Sequence, residues 1–130
     1  MAHAVTSPPM LRLKRSTQSG EKLMTAAYAQ VYYEDCPQAF FFCGARLDLT
    51  NMAAGDTIDV QCLAKLTEDS TLTLVDSISY SDARPATRQI VTIGYLANIW
   101  GIEIKMRQSA GAGYRTFVCE FYDAKRIGLL

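Results

Sequence analysis

Apolar and polar side chains alternate with a period of two along most of the chain beyond residue 22. In residues 57–66 the even positions are apolar, and the odd positions are mostly polar. The same alternation recurs in residues 45–50, 100–107 and 117–121. Because successive side chains of a β-strand point to opposite faces of its sheet, each segment predicts a strand with one buried and one solvated face.

Two further segments predict strands from less regular patterns. Residues 23–33 are rich in tyrosine, valine and threonine, so we interpret them as a single strand that Cys36-Pro37 ends. Residues 71–80 alternate as well, but Asp76 falls on the apolar positions of that segment. We therefore expect a β-bulge or a change of face at Asp76.

Turn signals separate the alternating segments. The first is residues 51–56, in which Gly55 precedes Asp56, and a short polar turn follows at residues 68–70. Residues 109–113 contain two glycines and predict the tip of a hairpin. About seven or eight short strands without a long helical pattern predict an all-β fold, an antiparallel sandwich or barrel.

The first twenty residues predict an extended N-terminal arm, and residues 21–130 predict the β-sandwich domain. Two consecutive prolines remove backbone donors and favour an extended path. The leucines that follow alternate with basic residues, so we expect residues 10–15 to add as an edge strand to a sheet. The candidate interaction residues of this arm are Pro8, Pro9, Leu11, Arg12, Leu13, Lys14 and Arg15.

Three consecutive phenylalanines, Phe40, Phe41 and Phe42, precede the alternation of residues 45–50. Consecutive side chains of a strand point to opposite faces, so at least one phenylalanine must leave the principal core face. We expect that ring to lie under a loop or to be covered by another subunit. Because exposed apolar patches mark protein contacts, the three phenylalanines are candidate interaction residues as well.

Composition indicates one globular domain. The chain has 130 residues, of which 49% are apolar and 20% are charged, as in folded domains and unlike disordered chains. The longest apolar run is far shorter than the ~20 residues that a membrane helix needs. The N-terminus lacks an apolar segment followed by a small-residue cleavage site, so we expect no secretory signal and no membrane partner.

Candidate catalytic chemistry is sparse. The single histidine, His3, lies near the chain end, and the sequence has no G-x-S-x-G, P-loop, G-x-G-x-x-G or H-E-x-x-H motif. We therefore expect a protein that is not an enzyme and has no cofactor or metal. The alternative for a metal is a calcium ion between Asp48, Asp56 and Asp59, whose oxygens suit that ion.

Cysteine placement and charge complete the description. Cys62 and Cys119 fall on the apolar positions of predicted strands, so we expect buried thiols.

Residues 1–22 hold four basic residues and one acidic residue, whereas the remainder holds nine basic and twelve acidic residues. A basic arm beside an acidic body can pair with an acidic protein surface. With so few aromatic residues near these charges, we expect no direct nucleic-acid binding.

Two segments resemble a known family. The first is residues 47–52, LDLTNM, followed by a Gly-Asp-Thr turn and an alternating strand. The second is residues 101–111, GIEIKMRQSAG, followed by an aromatic terminal strand. Over residues 40–123 the chain resembles small β-sandwich proteins of tailed-phage particles, of the kind that decorate or cement capsids. The resemblance implies a jelly-roll-like sandwich, self-association, often as trimers, and docking on a capsid lattice.

We therefore expect a structural virion protein that binds the outside of a tailed-phage capsid and stabilises it. The expected partners are the major capsid protein and neighbouring copies of the chain itself, with a trimer favoured. The expected location is the capsid surface, after synthesis in the host cytoplasm. The alternatives are a tail or head–tail connector subunit, a carbohydrate-binding β-sandwich module and, among enzymes, a hydrolase.

Overall fold

The structure is a computed structural model that describes residues 10–35, 40–94 and 96–127. Within these residues it contains nine β-strands and no helix, so the chain is all-β as predicted. The strands are β1 (Met10–Arg15), β2 (Gly20–Leu23), β3 (Ala29–Glu34), β4 (Phe40–Asp48), β5 (Thr57–Ala64), β6 (Thr73–Ser81), β7 (Ile90–Ile93), β8 (Ile102–Ala110) and β9 (Thr116–Ile127).

The nine strands form two antiparallel sheets. The first sheet has the order β1-β9-β4-β7, with β2 also paired to β9, and the second has the order β3-β8-β5-β6. Consecutive strands from β3 to β9 therefore alternate between the sheets, except that β5 and β6 are neighbours in the second sheet. This strand order is that of a jelly roll, in which two Greek keys build a double sheet. The expected antiparallel, jelly-roll-like sandwich is confirmed.

Two strands share one edge of the first sheet. β1 lies antiparallel to Tyr122–Ile127 of β9, and β2 lies antiparallel to Thr116–Cys119 of the same strand. The nine strands thus fill eight places, which agrees with the expected number of about seven or eight. The segment expected to add as an edge strand does so within its own chain.

The single strand expected over residues 23–33 is wrong in its extent. The structure divides this segment between β2 and β3, which belong to different sheets. Met24 is buried, and its backbone N–H donates to the carbonyl of Arg115 at 2.9 Å, where the chain leaves the first sheet. The backbone N–H of Gln108 then donates to the carbonyl of Thr25 at 2.9 Å. Residue types that favour strands therefore continue through the connection between β2 and β3. The local pattern does not reveal that the chain changes sheet there.

The β-bulge expected at Asp76 is confirmed. Cys62 pairs with Asp76, whereas the next residue of β5, Leu63, pairs with Leu74, so one extra residue of β6 is inserted between the pairs. Leu74 consequently pairs with Leu63, which lies on the opposite face of β5 from Cys62. Half of the surface of Leu74 is exposed. The bulge lies in an edge strand, where bulges commonly disrupt pairing with further strands.

The core lies between the two sheets and is built from the buried positions of the alternating strands. Tyr32 and Phe121 come from opposite sheets, and their ring centroids are 5.1 Å apart. Cys62 and Cys119 are buried free thiols, as expected. Burial raises the pKa of Cys62 to about 11 and that of Cys119 to about 12. Other members of the core include Leu47, Leu49, Ile58, Val60, Ile102, Ile104, Met106 and Phe117.

Candidate interaction surface

The segments predicted to make contacts lie on the two sides of β9. Leu13 of β1 and Phe41 of β4 are both register partners of Ala124. Neighbouring strands are about 4.8 Å apart, so the two segments run side by side at a separation of about 10 Å. The fold therefore brings together two parts of the sequence that were singled out independently.

The remaining predicted residues can be placed less fully. Leu11, Arg12 and Lys14 lie along β1, opposite Arg126, Lys125 and Asp123 of β9. Phe40 and Phe42 lie along β4, opposite Lys125 and Asp123. Pro8 and Pro9 lie outside the described residues.

Arg15 is engaged within the chain. Its Nε donates to Oε1 of Glu120 at 2.6 Å, and its Nη2 donates to Oε2 at 3.1 Å. The bidentate geometry is that of a charge-assisted pair. The hydrogen bond with Arg15 lowers the pKa of Glu120, and the bond with Glu120 raises the pKa of Arg15. The pair fastens the C-terminal end of β1 to β9.

A second arginine lies beside this pair on the outer face of the first sheet. Arg46 of β4 is the register partner of Glu120. Its guanidinium carbon lies 5.8 Å from the centroid of the Tyr122 ring, within the range of a cation–π contact. The centre of this outer face is therefore charged and aromatic, and its two arginines and one glutamate lie close together.

Three exposed aliphatic side chains, which sequence reasoning missed, occupy the other end of the same face. Leu23, Val118 and Ile90 expose 65%, 43% and 60% of their surface. Val118 pairs with Asp48 of β4, and Asp48 pairs with Ile90 of β7, so the two apolar side chains lie in one row across the sheet. In the sequence, each of the three is a single apolar residue among positions that are predicted to face solvent. Only the strand order brings them onto one surface.

The turn that joins β1 to β2 is held by side chains. The amide of Gln18 contacts both backbone groups of Tyr33 in β3: its Nε2 donates to the carbonyl at 2.7 Å, and the Tyr33 N–H donates to its Oε1 at 2.8 Å. The buried Ser16 donates its N–H to the carbonyl of Phe121 at 2.8 Å. The N–H of Phe121 donates to the hydroxyl of Ser19 at 2.9 Å. The turn therefore ties β9 of the first sheet to β3 of the second.

The loop that joins β8 to β9 is held by a buried polar cluster. The prediction that residues 109–113 form the tip of a hairpin is wrong, because β8 and β9 belong to different sheets and do not pair. Asp56 is almost fully buried, and its Oδ2 accepts from Nε of Arg115 at 2.8 Å and from the N–H of Ala53 at 2.9 Å. The bond from Ala53 outweighs the effect of burial and lowers the pKa of Asp56, with a further contribution from Arg115. Gln108 accepts from the N–H of Arg115 at 2.9 Å and donates to the carbonyl of Gly113 at 2.7 Å. The cluster fixes the loop between β8 and β9.

Asp59 is also paired with an arginine, on the outer face of the second sheet. Its Oδ2 accepts from Nε of Arg107 at 2.8 Å, and its Oδ1 accepts from the hydroxyl of Ser79 at 2.6 Å. Burial raises the pKa of Asp59, but the bonds from Ser79 and Arg107 outweigh this effect and lower it. The guanidinium of Arg107 also lies over the ring of Tyr28, with its carbon 4.4 Å from the centroid.

The three aspartates considered for calcium lie in separate environments. Asp48 accepts from the N–H of Thr50 at 3.1 Å, whereas Asp56 and Asp59 each face an arginine. Among the described residues, no group of three histidine, cysteine, aspartate or glutamate side chains could hold a metal ion. In the same residues there is no helix long and apolar enough to cross a membrane.

Comparison with known proteins gives no assignment. The chain matches no protein-family model and no curated protein. Its function therefore has to be argued from the surface described above.

Proposed function

We propose that this chain is a structural virion protein that binds the outside of a tailed-phage capsid and stabilises it through protein–protein contacts. The observation that carries the proposal is the position of β1, an edge strand that lies on β9 at the same end of the sheet as Phe40–Phe42. A stiff sandwich with its two predicted contact segments side by side suits attachment to a protein surface.

The outer face of the first sheet has the chemistry of a protein contact. Exposed Leu23, Val118 and Ile90 lie at one end, and the paired Arg15 and Glu120 lie nearer the other. Protein interfaces commonly combine exposed apolar side chains with aromatic residues and arginine. On a repeating capsid lattice, contacts of this modest size gain strength because many copies bind at once.

The direct test uses capsids of the tailed phage that encodes the chain, prepared without this protein. Purified protein is added, and both co-sedimentation and the temperature of capsid disruption are measured. We expect binding at a fixed ratio to the major capsid protein and a higher disruption temperature. Capsids that neither bind the protein nor change their disruption temperature contradict the proposal.

Two variants test the surface. Val118→Asp places a charge on the outer face of the first sheet, and we expect at least ten-fold weaker capsid binding with the fold retained. Leu66→Asp is the matched control, because Leu66 is exposed in the turn after β5 and lies outside that face. Equal loss of binding in both variants, or in neither, contradicts the role given to this face.

A tail or head–tail connector subunit is the closest alternative. Immunoblotting of separated heads and tails from disrupted particles distinguishes it from a capsid protein. Signal confined to heads along the whole shell supports the proposal, and signal in tails or at the connector replaces it.

A carbohydrate-binding module is favoured by one separate observation. A cavity of about 240 Å³ lies at the loop between β8 and β9, lined by the small residues 109–113 together with Gln108, Ala26 and Tyr114. The ring of Tyr114 is exposed and can stack on a sugar. Glycan-array binding that Tyr114→Ala abolishes and Val118→Asp leaves unchanged would establish this function instead.

A further inference from the structure

β1 is attached to the rest of the fold through one strand. Its residues pair with β9 from Met10 opposite Ile127 to Arg15 opposite Tyr122, and β1 is a terminal strand in the order of its sheet. When β1 is absent, residues 122–127 of β9 have an unpaired edge on that side. Unpaired strand edges readily accept another strand.

The segment after β1 is held much more firmly. Ser16 and Ser19 bond to both backbone groups of Phe121, and Gln18 bonds to both backbone groups of Tyr33. These contacts fix the turn to both sheets. The part of the chain that can leave without disturbing the sandwich is therefore β1 alone, with its pivot between Arg15 and Ser16.

The contacts that hold β1 are modest. The Arg15–Glu120 pair is solvent-exposed, and exposed ion pairs stabilise a fold only weakly. The backbone pairs of β1 involve β9 alone, because β1 is a terminal strand of its sheet. A strand held along one edge can separate from its sheet without breaking the pairing of the other strands, which favours the release of β1.

We propose that β1 exchanges between copies of this chain, so that β1 of one copy pairs with β9 of a second copy. Every backbone pair and the ion pair with Glu120 are restored in the exchanged form, because the second copy presents an identical edge. Exchange of identical elements is a low-cost route to association, since it needs no new interface. The partner of the arm is therefore a second copy of the chain.

The charge pattern also favours this partner. Arg15 binds Glu120, and Lys14 lies opposite Asp123, so the C-terminal half of β1 meets acidic residues of β9. Each copy carries this acidic pair. The exchange itself can be tested in purified protein, whereas its role on a capsid rests on the proposed function.

Cysteine pairing gives the decisive test. Cα atoms of opposed residues in antiparallel strands lie about 4.5–5.5 Å apart, within the range that a disulfide spans. Full-length L13C and A124C chains are mixed, refolded together and oxidised, and linked peptides are identified by mass spectrometry. Exchange predicts an L13C–A124C link between chains that is at least ten-fold more abundant than the link between L13C and L66C.

A charge exchange provides an independent measurement that needs no oxidation. R15E and E120R each place like charges between β1 and β9 of the same chain, whereas their mixture restores opposite charges only across two chains. We expect the mixture to sediment as a larger species than either variant alone. A mixture of R46E and E120R is the control, because β4 lies inside the sheet and cannot exchange in this way.

The outcomes separate the two proposals. Interchain linkage with no capsid binding supports exchange and contradicts the capsid role, and the reverse result contradicts exchange alone. An L13C/A124C double variant that closes only within one chain, together with unlinked mixtures of the single variants, overturns the exchange of β1. A charge-variant mixture that behaves as the sum of its components overturns it as well.

Discussion

The hydroxyl of Tyr32, on β3, donates a hydrogen bond to Oδ1 of Asp123, on β9. Both side chains are buried, and the two strands belong to different sheets. The bond therefore joins the layers of the sandwich beside the segment of β9 that pairs with β1. It also directs a buried carboxylate towards a donor, as buried charged groups require.

Tyr32→Phe removes this donor and keeps the ring. We expect the free energy of unfolding to fall by about 1–3 kcal/mol, because a buried acceptor loses a partner. Urea denaturation measures the change. Tyr33→Phe is the control, since the Tyr33 hydroxyl bonds to Asp35 at an exposed site, and its loss is expected to cost under about 0.5 kcal/mol. Similar losses in the two variants would contradict the inter-sheet role of Tyr32.

Gly111 is required in the loop between β8 and β9. A Cβ atom there would lie 2.3 Å from Oδ1 of Asp56 and 2.5 Å from Nε2 of Gln108, and the residue has a φ of +137°. We expect Gly111→Ala to destabilise the fold by about 2–4 kcal/mol, through the disturbed cluster and the strained backbone. Thermal unfolding measures the effect.

Gly113 supplies the matched control in the same loop. A Cβ at this position meets no atom within 4 Å. We expect Gly113→Ala to change the unfolding free energy by less than about 1 kcal/mol. If both alanine variants are equally stable, the Asp56–Gln108 cluster does not need the space at Gly111.

Asp56 makes the stability of the fold sensitive to acid. Its pKa in the folded protein lies below the ordinary value of 3.8, so the unfolded state takes up a proton first as pH falls. The stabilisation by the carboxylate is therefore complete above the unfolded pKa and is lost as pH falls through the folded pKa.

Asp56→Asn tests this linkage. We expect a loss of about 2 kcal/mol at pH 7, because the neutral amide gives up the negative charge that strengthens the bond from Arg115. Between pH 5 and pH 2.5 the variant is expected to lose less further stability than the wild type. Urea titrations at several pH values measure both effects, with the exposed Asp69→Asn as control. Parallel pH profiles for Asp56→Asn and the wild type would contradict the prediction.

Gln18 is expected to protect one backbone amide. Its Oε1 accepts from the N–H of Tyr33, at the edge of β3 that faces away from β8. Gln18→Ala should therefore accelerate hydrogen exchange at Tyr33 at least ten-fold, measured by nuclear magnetic resonance. Gln61→Ala, in the central strand β5, is the control and should leave that amide unchanged. Unaltered exchange in Gln18→Ala would show that the side chain does not protect the edge.

The candidate surface was predictable only in part. The alternation of leucine and basic residues identified Met10–Arg15 as an edge strand, and the structure pairs it with β9. The exposed apolar row of Val118 and Ile90 was not predictable, because each is a single apolar residue on a solvated face. Their proximity depends on Asp48 of β4 lying between them, and strand order is a long-range property.

Local alternation alone identified the apolar buried positions of β5 and β9, as Cys62 and Cys119 show, and the residue, Asp76, that interrupts the pattern of β6. Side-chain direction in a strand repeats every two residues, so this information is local. The contact between Asp56 and Arg115, which are 59 residues apart, arises from the folding of the whole chain. Such contacts depend on the pairing of distant strands, which buries the apolar faces of all the strands together and cannot be read from any one segment.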